Sequence, residues 1–162
     1  MRNKQKGFSL IELLIVVAII LIIAAIAIPN LIRSKMAANE ASAVATLRTI
    51  NTAEVVYSST YSTVAVFATQ AQLGSAGNAA NCLPGTTPTA LQACLIDFAI
   101  ENATAVAKSG YNLTVAVAGG GYTGRNNPNA PGSSGVRFFY SDQTLVIRQN
   151  PAAAAGPNDP PI

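Results

Sequence analysis

The stretch KGFSLIELLIVVAIILIIAAIAIP, residues 6–29, decides the fold expected of this chain. Residues 8–28 number twenty-one and carry one charged side chain, that of Glu12. A helix of this length is about 31 Å long, which matches the hydrocarbon thickness of a bilayer. The stretch therefore predicts a membrane-spanning helix, and the carboxylate near its beginning requires an explanation.

Composition limits the classes of function that the chain can have. Its 162 residues suffice for one modest domain and an anchor. The net charge of +3 comes from Arg2, Lys4 and Lys6, because seven basic and seven acidic residues follow them. Nucleic-acid binding needs clustered Lys and Arg, and the only cluster lies in this N-terminal segment. The composition therefore makes a nucleic-acid partner unexpected, without excluding one.

The chain has no histidine and two cysteines, Cys82 and Cys94. Zinc sites and histidine-based catalysis are thereby disfavoured, and we expect neither an enzyme, nor a metal, nor a cofactor. An isolated cysteine pair in an exported segment more often forms a disulfide than a metal site. Such a bridge would close a short loop and contribute about 3 kcal/mol. The alternative is that both thiols are small unpaired residues of the core.

The charges at the N-terminus predict an orientation in the membrane. Arg2, Lys4 and Lys6 precede the apolar stretch, so the positive-inside rule keeps the N-terminus in the cytoplasm and sends the remainder outside. Cys82 and Cys94 then reach an oxidising compartment.

Three interpretations of the apolar stretch compete. An ordinary secretory signal peptide could end at the A-x-A sequence of residues 25–27, but the apolar run is longer than the usual ~7–15 residues. In a plain signal anchor, Glu12 would cost up to about 3 kcal/mol with nothing gained. In the third, cleavage between Gly7 and Phe8 leaves an amine four residues before Glu12. A neighbouring copy could then supply its Phe8 amine to the Glu12 carboxylate, so the charge would set the register of a polymer.

These residues resemble the N-terminal signature of type IV pilins and the related pseudopilins. The signature is a basic leader ending in Gly, then Phe, then a hydrophobic helix with Glu as its fifth residue. Here those positions are Gly7, Phe8 and Glu12, and Pro29 follows the membrane stretch. The resemblance implies that a prepilin peptidase cleaves after Gly7 and methylates the Phe8 amine. It also implies that Glu12 governs subunit recruitment and register by pairing with the Phe8 amine of an adjacent copy.

Pro29 can either end the membrane helix or kink a longer one. Residues 30–61 contain neither Gly nor Pro, which favours continuation of the helix. Apolar side chains form a stripe along it, interrupted by Asn39, Glu40 and Glu54. From residue 47 onward we expect this stripe to pack on the head, and nearer the membrane to face other subunits. The stripe consists of Ile32, Met36, Ala43, Leu47, Ile50, Tyr57 and Tyr61.

The first half of the head is expected to hold a loop and a short helix. Residues 75–87 are rich in Gly, Pro and Asn, which is typical of a loop. Thr89 and Gln92 fit a capping box, and the pattern that follows predicts a helix up to about Ala107. A Cys82–Cys94 bridge would tie the loop to that helix.

The second half is expected to hold a small antiparallel sheet. Period-two alternation predicts a strand at 111–118, and two further strands at 136–141 and 144–149 flank a tight turn. The Gly-rich segment 119–135 has no complete P-loop motif and is expected to be a flexible surface loop. The tail, 151–162, contains four prolines and is expected to be disordered or extended.

The predicted fold is α+β, with a long N-terminal helix, half in the membrane and half amphipathic, on a small antiparallel β-sheet head as in type IV pilins. The segments are a cleaved leader (1–7), a membrane and filament-core helix (8–29), its amphipathic continuation (30–61), a globular head (62–150) and the tail (151–162).

The function that the resemblance implies is that of a structural subunit, most simply a major pilin, for surface attachment, twitching motility or DNA uptake. Its partners would be further copies of itself, the prepilin peptidase and the inner-membrane assembly machinery. It would lie in the bacterial inner membrane, with the head in the periplasm, and afterwards in an extracellular pilus.

Several alternatives remain. A pseudopilin of a type II secretion system is expected to carry a C-terminal calcium loop, but the C-terminal region offers only Asp142 and Asp159. Pilins often place their disulfide in the C-terminal part of the head, whereas Cys82 and Cys94 precede the predicted sheet, which leaves the subtype open. A DNA-binding minor pilin would need basic side chains such as Lys108, Arg125, Arg137 and Arg148 to converge. From another class, an exported soluble binding protein would carry an ordinary signal peptide.

Overall fold

The computed structural model describes residues 8–162, so the leader and Gly7 lie outside the described residues. The chain forms two compact units with a boundary between Lys35 and Met36. The elements are α1 (Leu10–Thr60), α2 (Gln70–Leu73), a 3-10 helix (Ala79–Cys82), α3 (Phe98–Glu101), a second 3-10 helix (Asn102–Thr104), β1 (Tyr111–Ala118), β2 (Gly121–Pro128), β3 (Phe138–Asp142) and β4 (Arg148–Asn150).

Helix α1 contains Pro29 in its interior and ends at Thr60. The expectation that the helix continues past the proline is confirmed, and the alternative that Pro29 ends it is wrong. Proline removes one backbone donor from a helix, but the Ala-rich segment after it, which lacks Gly and further Pro, has a strong helical preference. That Pro29 kinks the helix stays a prediction.

The head contains a four-stranded antiparallel sheet in the order β1-β2-β3-β4. Strand β1 coincides with the predicted strand at 111–118. Strand β2, however, occupies half of the segment predicted to be a flexible loop, and that prediction is wrong. Gly119 and Gly120, with φ of 61° and 77°, make a two-residue turn that brings Ala118 opposite Gly121. Positive φ at both positions is what such a hairpin requires.

The last hairpin has a longer connection than expected. The predicted strands at 136–141 and 144–149 are observed at Phe138–Asp142 and Arg148–Asn150. The Asp142 carboxylate accepts from the backbone N–H of Thr144 at 2.9 Å, and the Asp142 carbonyl accepts from the N–H of Leu145 at 2.8 Å. Asp142 thus organises residues 143–147 as a loop, because Asp side chains readily replace ladder bonds with local ones.

The helix predicted from Thr89 to about Ala107 is largely absent. Thr89 and Gln92 exchange backbone hydrogen bonds of 3.0 and 3.1 Å in a turn. The backbone N–H groups that follow bond residues far away in the sequence: the N–H of Ala93 donates to the carbonyl of Gln72 at 2.8 Å. Tertiary pairing therefore overrides the local helical signal, and only α3 and the short 3-10 helix after it remain. The capping box that does form is at Thr69 and Gln72, at the start of α2.

The predicted disulfide between Cys82 and Cys94 is present, with the two Cα atoms 5.6 Å apart. It joins the 3-10 helix Ala79–Cys82 to the loop before α3, not to a helix. A second tie holds the same loop: the buried Glu101 carboxylate accepts from the N–H of Ser75 at 2.7 Å and from the N–H of Gly77 at 2.5 Å. The disulfide and this carboxylate together fix residues 74–82.

Residues 36–60 of α1 pack on the inner face of the sheet. Leu47 and Ile50 are fully buried there, and Tyr57, also fully buried, donates from its Oη to the Ala90 carbonyl at 2.8 Å. A Cβ at Gly124 of β2 would lie 3.1 Å from Leu47 Cδ2, so a glycine lets the helix come close to the strand. Polar contacts fix the register, because Asn51 Oδ1 accepts from Tyr122 Oη and Ser141 Oγ, each at 2.9 Å.

Glu40, predicted to interrupt the apolar stripe, instead joins α1 to the chain before β3. Its carboxylate accepts from the N–H of Val136 at 2.9 Å and pairs with the Arg137 guanidinium at 2.7 Å. Burial alone would raise the pKa of this carboxyl, but the hydrogen bonds from Val136 and Arg137 outweigh it and lower the pKa.

Glu54 is fully buried on the same helix and has weaker compensation. One carboxylate oxygen accepts from the N–H of Ala68 at 3.0 Å, and the other has no hydrogen-bond partner among the residues that the structure describes. Burial raises the pKa of Glu54 to about 7, although the hydrogen bond from the Ala68 N–H lowers the pKa in part. This carboxyl is therefore the costly group of the core once it is ionised.

The Pro-rich tail, expected to be disordered or extended, lies alongside β4. The N–H of Gln149 donates to the Pro160 carbonyl at 3.0 Å, and the N–H of Ile162 donates to the Ile147 carbonyl at 3.1 Å. Asp159 helps by accepting from Asn150 Nδ2 at 3.0 Å and from the N–H of Gly156 at 2.8 Å. Side chains of the sheet therefore order a segment whose composition favours disorder.

We predict that Glu54 makes the stability of the head fall as the pH rises from about 4.5 to about 7. The folded state binds the Glu54 proton more tightly than the unfolded chain does, so this contribution is complete at low pH and is lost as the pH passes about 7. The loss should be about 2 to 3 kcal/mol in the free energy of unfolding, measured on the full chain in detergent. In Glu54→Gln the slope in this window should disappear. In the control Glu40→Gln the slope should remain, because the lowered pKa of Glu40 acts below this window; an unchanged slope in Glu54→Gln would contradict the assignment.

We also predict that the Cys82→Ser/Cys94→Ser variant loses about 3 kcal/mol of stability, since the bridge closes a short loop in the unfolded chain. Hydrogen exchange should rise most in residues 74–82. Reduction of the wild-type chain is the matched control and should give the same change. Equal protection of this loop before and after reduction would show that Glu101 alone holds it.

Candidate functional site

The first unit is an apolar helix that the described chain leaves uncovered. Every residue from 8 to 35 is exposed except Ala24, which is half-buried. Phe8 and Leu10 are each 80% exposed. The helix is long and apolar enough to cross a membrane, and none of its most apolar stretch is buried in the protein. Lipid or another chain must cover such a surface.

Glu12 lies in the first turn of α1 and is exposed. Its Oε2 accepts a hydrogen bond from the backbone N–H of Ser9 at 3.1 Å. No Lys or Arg of the described residues lies within 4.0 Å of this carboxylate. Glu12 thus satisfies one unpaired donor at the helix N-terminus, where a negative charge is also favoured by the helix dipole. Its charge has no cationic partner in the described part of the chain.

This cap is a feature that the sequence analysis missed, although the signal was present. Ser9 and Glu12 have the spacing S-x-x-E of a capping box directly before an apolar run. Glu12 therefore has two separate properties, an acceptor oxygen that caps its own helix and a charge that needs a counter-ion. An experiment on Glu12 must separate the two.

The other predicted site residues fall in different places. Gly7 lies outside the described residues, and Phe8 is the first described residue. Pro29 lies within α1, and Cys82 with Cys94 belongs to the head.

The four basic head residues do not form one cluster. Arg137 pairs with Glu40, and Lys108 Nζ donates to Thr46 Oγ1 at 3.3 Å. Arg125 lies over the Tyr140 ring at 5.7 Å, in the same row across the sheet as Arg148. Two of the four share a face, and Arg137 is already neutralised.

Among residues 8–162, no group of three or more His, Cys, Asp or Glu side chains is arranged to hold a metal ion. The two C-terminal aspartates are occupied with local contacts. Asp142 bonds Thr144, and Asp159 bonds Asn150.

Comparison with known proteins agrees with this geometry. Residues 2–28 match the family model of the prokaryotic N-terminal methylation motif. The type IV wide pilus major component PilA4 of Thermus thermophilus is 62% identical over 40 residues, which is 25% of this chain and 30% of that protein. The type IV major pilin protein PilA of Myxococcus xanthus is 49% identical over 51 residues, 32% of this chain and 23% of that protein.

The similarity thus covers under a third of the length of either relative, and no solved structure matches the chain. The fold is a further observation: the later part of a long N-terminal helix packs on a small antiparallel sheet. Residues 2–28 thus carry the prokaryotic N-terminal methylation motif, and part of the chain is similar to two type IV pilus proteins.

Proposed function

We propose that the protein is a structural subunit of a type IV pilus, most simply its major pilin, serving surface attachment or twitching motility. The observation that carries the proposal is the uncovered apolar helix that begins within the methylation motif. The apolar surface requires lipid before assembly and neighbouring helices after it. The chain then works by polymerising and not by catalysing a reaction.

The proposed processing follows the motif. Prepilin peptidase cleaves between Gly7 and Phe8 and methylates the new amine of Phe8. Before assembly the helix spans the bacterial inner membrane with its N-terminus in the cytoplasm and the head in the periplasm. The assembly machinery of the inner membrane then moves the subunit into an extracellular filament.

Glu12 is proposed to set the register between copies. Its carboxylate accepts a hydrogen bond from the Ser9 N–H but has no Lys or Arg within 4.0 Å among the described residues. The amine of Phe8 from an adjacent, axially displaced copy supplies the missing positive charge. In an apolar surrounding, an unpaired carboxylate is far more costly than a paired one, so only the register that pairs the two charges is favoured.

Two observations bear on the alternatives. A pseudopilin with a calcium loop finds no support in residues 8–162, which hold no carboxylate cluster suited to a metal. An ordinary signal peptide ending at residue 27 would cut α1 in its interior, where the helix continues to Thr60. A DNA-binding minor pilin remains the second alternative, for which Arg125 and Arg148 on one sheet face would be the first residues to test.

The processing step predicts a mature chain that begins with N-methyl-Phe8. Intact mass and N-terminal sequencing of the exported protein measure it directly. A chain that begins at Ile28 would instead identify an ordinary signal peptide and remove the proposal.

The register role predicts that Glu12→Ala and Glu12→Gln are both processed but yield at least roughly tenfold fewer filaments by electron microscopy of sheared surface material. Gln keeps the acceptor oxygen for the Ser9 N–H and removes only the charge. Ser9→Ala is the matched control, since it keeps the backbone donor, and should assemble normally. Normal filaments from Glu12→Gln would show that capping, and not the ion pair, is what Glu12 contributes.

A further inference from the structure

Leu145 occupies an unusual position in the loop between β3 and β4. Its φ is 65°, which few bulky residues adopt, and its side chain is 47% exposed. The conformation is imposed from two sides: the Leu145 N–H donates to the Asp142 carbonyl at 2.8 Å, and the Leu145 carbonyl accepts from Asn51 Nδ2 at 3.2 Å. A strained backbone that presents an apolar side chain to solvent points to a contact outside the chain.

The surroundings of Leu145 make a defined apolar groove. Leu145 lines it together with Val55 and Arg48 of α1, and Val55 is 49% exposed. We call these three residues the leucine surface. Arg48 is the only exposed charged side chain of α1 between residues 36 and 60, and no carboxylate of the described residues lies within 4.0 Å of it.

The hydroxyl groups beside this groove are already satisfied. Thr49 Oγ1 donates to the Ala45 carbonyl at 3.1 Å, and Thr52 Oγ1 donates to the Arg48 carbonyl at 3.0 Å. Because both hydroxyls donate to carbonyls of the preceding helical turn, the threonines present mainly their methyl groups at the surface. The face is therefore less polar than its sequence suggests, apart from the Arg48 charge.

A second exposed apolar region begins next to this groove. Arg48 and Thr52 also line a groove that includes Leu95, and Leu95 shares the next groove with Asp97 and Phe98. Phe98 is 42% exposed and shares a third groove with Val106, which is 65% exposed. We call Asp97, Phe98 and Val106 the phenylalanine surface. Its carboxylate is available, since Asp97 Oδ1 accepts from the Ile100 N–H at 2.7 Å and Oδ2 receives no hydrogen bond from the described residues.

We propose that the leucine surface of one copy receives the phenylalanine surface of a second copy. Arg48 then donates to Asp97 of the neighbour, while Phe98 packs against Leu145 and Val55. The two surfaces are complementary in charge, and each adds exposed apolar side chains to the contact. This inference rests on the proposed function, because it names the contact between heads in the same polymer.

The geometry also determines the kind of assembly. The two surfaces consist of different residues, so a contact of one surface with the other is heterologous. A heterologous contact leaves one surface of each kind free at the two ends, and it therefore repeats from copy to copy. The ion pair orients the heads and rejects wrong registers, while the apolar side chains contribute the adhesion.

The test is a charge exchange. Arg48→Asp and Asp97→Arg should each lower filament yield at least roughly tenfold, because like charges then face each other. The double variant Arg48→Asp/Asp97→Arg should restore most of the yield. Arg125→Asp is the matched control, as it reverses an exposed charge outside both surfaces, and should assemble as the wild type does. Because the double variant also lacks the Asp97 cap of α3, recovery cannot come from the cap.

Leu145→Asn provides an independent measurement. Asn tolerates positive φ better than Leu, so the melting temperature of the full chain in detergent should rise by roughly 2–4 °C. Filament yield should nevertheless fall, since the apolar contact is lost. A variant that is both more stable and normally assembled would show that Leu145 takes no part in the interface.

The outcomes separate this inference from the proposed function. If the wild type and Arg125→Asp form filaments and both single reversals do so too, the head contact is wrong while the pilus remains. Failure of the double variant to recover overturns the pairing of Arg48 with Asp97. If the wild-type chain is not processed at Phe8 and forms no filaments, the proposed function itself fails.

Discussion

Uncovered apolar surface on the first part of α1 is the constraint on which the rest of the protein depends. Large apolar side chains follow one another there, and most are more than half exposed. Covering each one is worth about 1.5–3 kcal/mol, so a chain alone in water is strongly unfavourable. Lipid can supply the cover for one copy, and further copies can supply it in place of lipid. Glu12 is the one charged side chain between residues 8 and 32, so it can distinguish between otherwise similar apolar packings.

The head solves a different problem, which is to hold a helix on a sheet in a single register. Apolar side chains such as Leu47 and Ile50 bury well at several positions along a helix, and hydrogen bonds restrict the choice. The Asn51 side chain accepts hydrogen bonds from two strands, and the Glu40 carboxylate accepts one from Arg137, just before β3. Satisfied polar groups of this kind define a unique core more sharply than apolar contacts do. The buried, weakly compensated Glu54 shows the cost when such satisfaction is incomplete.

The long helix could be predicted because residues 8–28 are almost uniformly apolar and residues 30–61 contain neither Gly nor Pro, and β1 could be predicted because its residues alternate with period two. Strand β2 could not be predicted from alternation, since Gly, Asn and Pro make up most of its residues and its pairing with β1 and β3 creates it. The glycine pair at 119–120 was the available signal. The helix expected after Thr89 failed because its donors bond carbonyls more than fifteen residues earlier, such as that of Gln72, which no local pattern reveals.

The methylation motif is likewise visible in the sequence, and the family model matches it. The cap between Ser9 and Glu12 was visible too, as a capping-box spacing. The two surfaces of the head were not. Arg48 and Leu145 are about a hundred residues apart in the chain, and only the docking of α1 beside the last hairpin makes them line one groove.

The segment at residues 160–162 has one more consequence. It occupies the free edge of β4, and its two prolines have no N–H to offer to a further strand. In the proposed filament, this edge would therefore offer a neighbouring head little main-chain pairing. A contact at this edge would then be made by side chains, and a subunit would join or leave its neighbours with its own sheet intact.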